Sequence, residues 1–226
     1  MAKLVESFSE ILTPYKSIIG PVASVLTIAQ FFAGALICKD IAAQGNTEGF
    51  SSMPFIGGIV IGALMLKYSM MLNDSSMFVV NLAAVLLNII YTFFFNKYSR
   101  CKKQDIHQPI MWGTILMTVI FAYTFWEEEE LIEYRYGLIV TVLMLGLLGS
   151  PLIEVREIVR KKDASSIPLP ITFMACIVTS LWLLYGFILK NEFMIIQNFI
   201  GFFLCLMQLT LYCIYRCPDM KKQKEL

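Results

Sequence analysis

A single histidine, His107, stands in a chain of 226 residues, and none of the six cysteines forms a Cys-x-x-Cys pair. That scarcity excludes the usual zinc sites, which collect four nitrogen or sulfur ligands at short spacings. Cys38, Cys101, Cys176, Cys205, Cys213 and Cys217 fall in apolar runs or beside basic segments, which suits packed or surface thiols better than a disulfide framework. Charge is also sparse. Only 15% of residues are Asp, Glu, Lys or Arg, and the net charge is +1. So balanced a chain carries no electrostatic footprint for nucleic acid, and no cofactor or metal is expected.

Where the charge is missing is more informative. Hydrophobic residues make up 58% of the chain, far above an ordinary soluble domain. Seven stretches approach or exceed the roughly 20 apolar residues that cross a bilayer: 17–38, 49–73, 75–96, 108–126, 136–153, 164–189 and 193–215. Lys67 is the one charge within them, near an end where its stem can snorkel. No Asp, Glu, His, Lys or Arg lies at mid-span, so neither a proton relay nor an intramembrane acid–base pair has a carrier. The first run lacks a nearby basic segment and a small-residue cleavage site, so it does not read as a removed signal. Residues 1–16 read as a short amphipathic helix at the interface.

The short connections follow the positive-inside rule. Lys97, Arg100, Lys102 and Lys103 follow the third span, Arg156, Arg160, Lys161 and Lys162 the fifth, and Arg216, Lys221, Lys222 and Lys224 the seventh. These alternate segments hold twelve of the 18 basic residues. The N-terminus is therefore expected outside or in a lumen, and the C-terminus in the cytosol. Residues 127–130, four glutamates in a row, form an outer turn. Consecutive carboxylates point in different directions, so a solvated turn is expected there rather than a divalent-ion site.

The chain also repeats itself. At a shift of 117 residues Tyr68 meets Tyr185, Asn81 meets Asn198, and Lys39-Asp40-Ile41 meets Arg156-Glu157-Ile158. Gly34 meets Pro151, while Pro54 meets Pro168 at a shift of 114, as a longer first loop and a longer sixth span require. Spans one to three thus match five to seven, and the odd fourth span makes the two triplets parallel. The expected fold is an all-α integral membrane protein of seven transmembrane helices, two parallel three-helix repeats joined by a linker helix (3+1+3), a transporter arrangement. The expected divisions are 1–103, the first repeat; 104–130, the linker helix and acidic turn; 131–216, the second repeat; and 217–226, a cytosolic tail. A seven-helix receptor needs no such repeat, and an amino-acid carrier would want a charged partner for its substrate.

The runs "GSPLIEVREIVRKKDASSIP" and "SLWLLYGFILKNEFMIIQNFIG" resemble the second repeat of the SWEET sugar transporters. The first repeat, "FFAGALICKDI…GFSSMPF…LKYS…MFVVN", is similar but weaker, and the gap in its proline pattern is closer to animal members than to plant ones. The resemblance spans roughly residues 20–216. It implies energy-independent, bidirectional movement of a sugar, with alternating access between the two bundles. It places paired pocket asparagines on Asn81 and Asn198 and the pocket wall on Met65 and Trp182. It places an outer gate on Tyr68, Tyr185 and Asn191, and inner-gate hinges on Pro54, Pro151 and Pro168, with Gly34 where a fourth proline would stand. Homo-oligomers in the plasma membrane or Golgi, surrounded by lipid, are also implied.

A neutral sugar suits these residue types. Amides donate and accept at once, and an indole offers a face to an apolar ring. Six-carbon monosaccharides such as glucose are the expected substrates. Gln30, Asn88, Gln197 and Gln208 have no repeat partner of like kind and read as packing amides.

Overall fold

The computed structural model of the protein describes residues 2–147 and 149–215. Arg216, Cys217 and the lysines of the basic tail lie outside the described residues. Among the described residues the regular elements are all helical: α1 (Ala2–Leu12), α2 (Lys16–Phe31), α3 (Ala33–Gln44), α4 (Met53–Met71), α5 (Ser75–Tyr98), α6 (Gln108–Tyr123), α7 (Glu129–Leu147), α8 (Gly149–Lys161), α9 (Leu169–Leu189) and α10 (Glu192–Tyr215). They build seven stretches long and apolar enough to cross a membrane: Val5–Gln44, Met53–Met71, Ser75–Tyr98, Lys103–Tyr123, Glu130–Lys161, Leu169–Leu189 and Glu192–Tyr215. Large apolar side chains remain exposed along them, Phe93 at 72% and Phe173 at 56%. In hydrocarbon such faces cost nothing, because the backbone is satisfied within each helix.

The chain packs as two compact units, and the division runs through α2 and α7. In the unit Thr27–Val140, α5 lies against both α4 and α3, and α4 also lies against α6. Its core gathers Cys38, Ile41, Phe55, Tyr91, Phe95 and Ile106. In the unit formed by Met1–Leu26 and Thr141–Leu226, α10 lies against both α9 and α8. Ile158, Ala164 and Ile167 are buried there against Leu211, Tyr212 and Tyr215. Ile41 and Ile158 occupy matched repeat positions and are both fully buried. The third helix of each triplet therefore anchors the other two.

Residues 2–12 are helical as expected, but the helix is docked on protein. The Phe8 and Phe187 rings stand 5.3 Å apart, and the Ser9 hydroxyl donates to the Ile188 carbonyl at 3.5 Å. The first span is interrupted at Phe32, where tight bonds from Phe32 N to Ala29 O (3.2 Å) and Ala35 N to Phe32 O (3.0 Å) replace the regular ladder. Such a break strands carbonyls, and the Tyr91 hydroxyl donates to that of Phe31 at 3.2 Å.

Candidate functional site

The turn between α4 and α5 is built by backbone chemistry. Asn73 takes a left-handed conformation at φ +50°, which asparagine tolerates better than most residues. Two bonds close the end of α4, Asn73 N to Met70 O at 3.2 Å and Asp74 N to Ser69 O at 3.0 Å, the Schellman pattern. The buried Asp74 carboxylate then accepts the Met77 N–H at 3.0 Å and caps α5. One turn on, the Asn81 amide donates to the Met77 carbonyl at 2.8 Å.

The second repeat does the same thing 117 residues later. Lys190 stands at φ +53°. Lys190 N reaches Phe187 O at 3.2 Å and Asn191 N reaches Gly186 O at 3.0 Å. The Asn191 side-chain oxygen accepts the Met194 N–H at 2.8 Å, and Asn198 donates to the Met194 carbonyl at 2.9 Å. Asn191, expected at an outer gate, is thus occupied in capping α10. Asn81 and Asn198 are both half-buried, each with one N–H spent on its own helix. Each retains a carbonyl oxygen and a second N–H.

The residues expected at the wall and the gate sit three positions apart on one helix face in each repeat. On α4, half-buried Met65 precedes Tyr68, which is 2% exposed. The Tyr68 ring lies 6.2 Å from that of Tyr136 in a near-parallel arrangement, and the Tyr136 hydroxyl donates to the Leu64 carbonyl at 2.9 Å. On α9, Trp182 and Tyr185 are both buried and meet edge to face at 5.6 Å. Met65, Tyr68 and Asn81 belong to one compact unit, and Trp182, Tyr185 and Asn198 to the other. Tyr136 went unnoticed in the sequence; its polar hydroxyl opening an apolar run was the available signal.

The hinge candidates divide. Gly34 follows the break at Phe32, and a Cβ on it would stand 2.5 Å from the Tyr91 ring. Glycine there admits the tyrosine. Pro54 is the second residue of α4, where a missing N–H costs nothing. Ser52, in the N-cap place, makes no side-chain cap, and its hydroxyl donates to the Asp105 carbonyl instead. Pro168 occupies the N-cap place of α9, so the first-turn proline of that helix is Pro170. Pro151 is the third residue of α8, and its side chain lies outside the described residues.

Of the amides expected to serve packing, one bonds between helices and one within its own. Gln197 is 8% exposed and donates to the Thr141 hydroxyl at 2.6 Å, pinning α10 to α7. Asn88 donates to the Ala84 carbonyl at 2.8 Å. In the acidic turn the Tyr123 hydroxyl donates to the Glu127 carboxylate, which pairs with Arg135 at 2.7 Å. The tyrosine hydrogen bond first, and the arginine second, hold the Glu127 carboxyl below the usual carboxylate range.

The family model of sugar efflux transporters for intercellular exchange matches the chain twice, over residues 17–103 and 135–219. The two matches start and end within one residue of the 117-residue register. The chain is 28% identical to sugar transporter SWEET1 of Drosophila pseudoobscura pseudoobscura, over 85% of this chain and 86% of that protein. It is 32% identical to sugar transporter SWEET1 of Caenorhabditis elegans, over 88% and 66%. Identity to the bidirectional sugar transporter SWEET3b of Oryza sativa subsp. japonica is 26%, over 92% and 84%. A solved structure of a eukaryotic SWEET transporter superposes with a TM-score of 0.82 at 19% identity, over 91% of this chain and 99% of that one. At that identity the likeness establishes the fold.

Proposed function

We propose facilitative sugar transport for this chain, a multi-pass membrane protein that belongs to the SWEET family of sugar transporters and is not an enzyme. The substrate is a neutral monosaccharide such as glucose. It moves down its gradient in either direction, by alternating access between the two three-helix repeats. The matched pair Asn81 and Asn198 carries this reading: each is anchored on a buried methionine carbonyl, with an acceptor oxygen and a donor N–H left for sugar hydroxyls. Trp182 and Met65 supply the wall, and Tyr68 and Tyr185 the outer closure. Asn191 acts on that closure through the cap it makes on α10. Gly34, Pro54, Pro151 and Pro168 serve the inner side.

Supporting the passive mechanism is the absence of ionisable residues at mid-span in the sequence. The basic segments favour a cytosolic C-terminus and an outer or lumenal N-terminus, in the plasma membrane or Golgi. The functional divisions of the chain are 1–103, 104–130, 131–216 and 217–226, and it works as a homo-oligomer. The test is uptake of labelled glucose and sucrose into transporter-deficient cells, with and without a protonophore. Glucose equilibration insensitive to the protonophore is expected. Accumulation above the external concentration, or its collapse with the protonophore, would overturn the passive reading; no sugar uptake at normal surface expression would overturn the function.

A further inference from the structure

A cavity of about 340 Å³ opens beside α5, between α4 and the start of α6. It lies within one compact unit and apart from Asn81. Ile59, Phe93 and Ile110 make its apolar walls, His107 stands at one side, and Thr92 and Asn96 face it one helical turn apart. The Thr92 hydroxyl and the Asn96 carbonyl oxygen are buried and have no hydrogen-bond partner among the described residues. Thr92 itself is 7% exposed.

Elsewhere many such groups find a partner, often on their own helix. Ser24, Thr179, Ser180 and Thr210 all donate to the carbonyl four residues back. The amides of Asn81, Asn88 and Asn198 do likewise. Thr92 and Asn96 are exceptions, and both exceptions face one cavity. Buried polar groups are paired in the great majority of cases, and an orphan calls for an explanation.

The cavity is graded along α5. Its polar end, at Asn96 and His107, lies where the chain leaves the apolar span, and basic residues follow at once. Its deeper walls are isoleucine and phenylalanine. A ligand that fits carries one neutral hydroxyl at headgroup depth and an apolar body below it. That hydroxyl would donate to the Asn96 oxygen and accept from Thr92. No Lys or Arg lines the cavity to meet a phosphate or carboxylate, and an anionic headgroup would leave the Asn96 oxygen unpaired. A free sugar, hydroxylated all round, would press desolvated hydroxyls against the apolar walls at Ile59, Phe93 and Ile110.

We propose that this cavity binds a neutral membrane alcohol, an uncharged lipid whose one hydrogen-bond donor is a hydroxyl, such as a sterol or a diacylglycerol. The test uses the full-length protein in phosphatidylcholine nanodiscs, with photoreactive sterol and photoreactive diacylglycerol as separate probes. Cross-linked residues are mapped by mass spectrometry. At least one probe should label the segment from Phe93 to Ile110, and the unlabelled parent lipid should compete; which probe labels tells the two sources apart. Asn96→Leu should lower labelling about tenfold, the worth of one well-made hydrogen bond to a desolvated group. Ile110→Trp, which fills the cavity and keeps both polar groups, should abolish labelling. Size-exclusion profiles identify any variant that fails to fold. The proposal is overturned if neither probe labels the segment, if a phosphatidylcholine or phosphatidylserine probe labels it equally, or if the folded variants label like wild type.

Discussion

Asn191 caps α10 as Asp74 caps α5: each accepts the backbone N–H three residues on, 2.8 Å away in one repeat and 3.0 Å in the other. The cap fixes the first turn of the helix whose second turn carries Asn198. Asn191→Ala should cost about 1 kcal/mol of stability, the usual worth of a cap. Asn191→Asp keeps the capping oxygen and should restore most of it. Melting temperatures of the purified variants in one detergent check this; equal losses in both variants would show that the cap is not what matters at this position.

Asn81→Ala and Asn198→Ala should each abolish most sugar flux while the protein still reaches the membrane. Each removes hydrogen bonds to hydroxyls that stay desolvated, about 1–3 kcal/mol per site. Uptake corrected for surface protein is the measurement. Near-normal rates in both single variants would remove the pair from the pocket.

Trp182→Ala should carry glucose poorly and gain little sucrose. The indole offers burial and a stacking face worth a few kcal/mol, more than the widened space returns. Both sugars are measured in wild type and variant. Faster glucose transport by the variant, or a wild type that already prefers sucrose, contradicts the assignment.

Gly34→Ala should destabilise by about 1–3 kcal/mol, because its methyl would press on the Tyr91 ring. In a Tyr91→Ala background the same change should cost almost nothing, since the two effects share one contact. Thermal unfolding of the four proteins in the cycle measures the coupling. Full additivity would mean that Gly34 is there for bending alone.

Glu127 should titrate below an ordinary glutamate, because Tyr123 and Arg135 both favour its ionised form. Any stability it contributes is present above the ordinary carboxylate pKa and is lost as pH falls through the lowered folded value. The side-chain ¹³C shift of Glu127 followed against pH should give a midpoint below the other glutamates. Arg135→Leu should move it upward. A midpoint in the ordinary range in wild type would dissolve the pairing.

The spans, the repeat and its register were readable because each depends on local composition or on comparing the chain with itself. The 117-residue shift located Asn81 and Asn198, and with them the matched Met77 and Met194. It also aligned Asp74 with Asn191, but nothing in the letters says that either side chain turns back to cap a helix. Gly34 shows the limit more sharply. The resemblance makes it a hinge candidate, whereas its visible constraint is Tyr91, far along the chain and near only once the helices pack. The Gln197–Thr141 bond is hidden for the same reason. Pairings between helices leave no periodicity behind. The division of the chain within α2 and α7 follows packing rather than the repeat.

The turns at Asn73 and Lys190 also say where a reporter group can be engineered. Each turn meets its crossing backbone bonds and its side-chain cap within a few residues. One inserted residue would break at least one of them, so neither hairpin tip tolerates a tag. After Gly45 the case is reversed. There the chain turns through a glycine at φ +75°, and the first loop is already longer than its counterpart in the second repeat. The bonds an insertion would disturb there, among Gln44, Asn46 and Glu48, are exposed to solvent, unlike the buried caps of the other turns. A fluorophore or epitope introduced beside Thr47 would extend a segment that already differs between the repeats, and would leave the hairpins on either side in register.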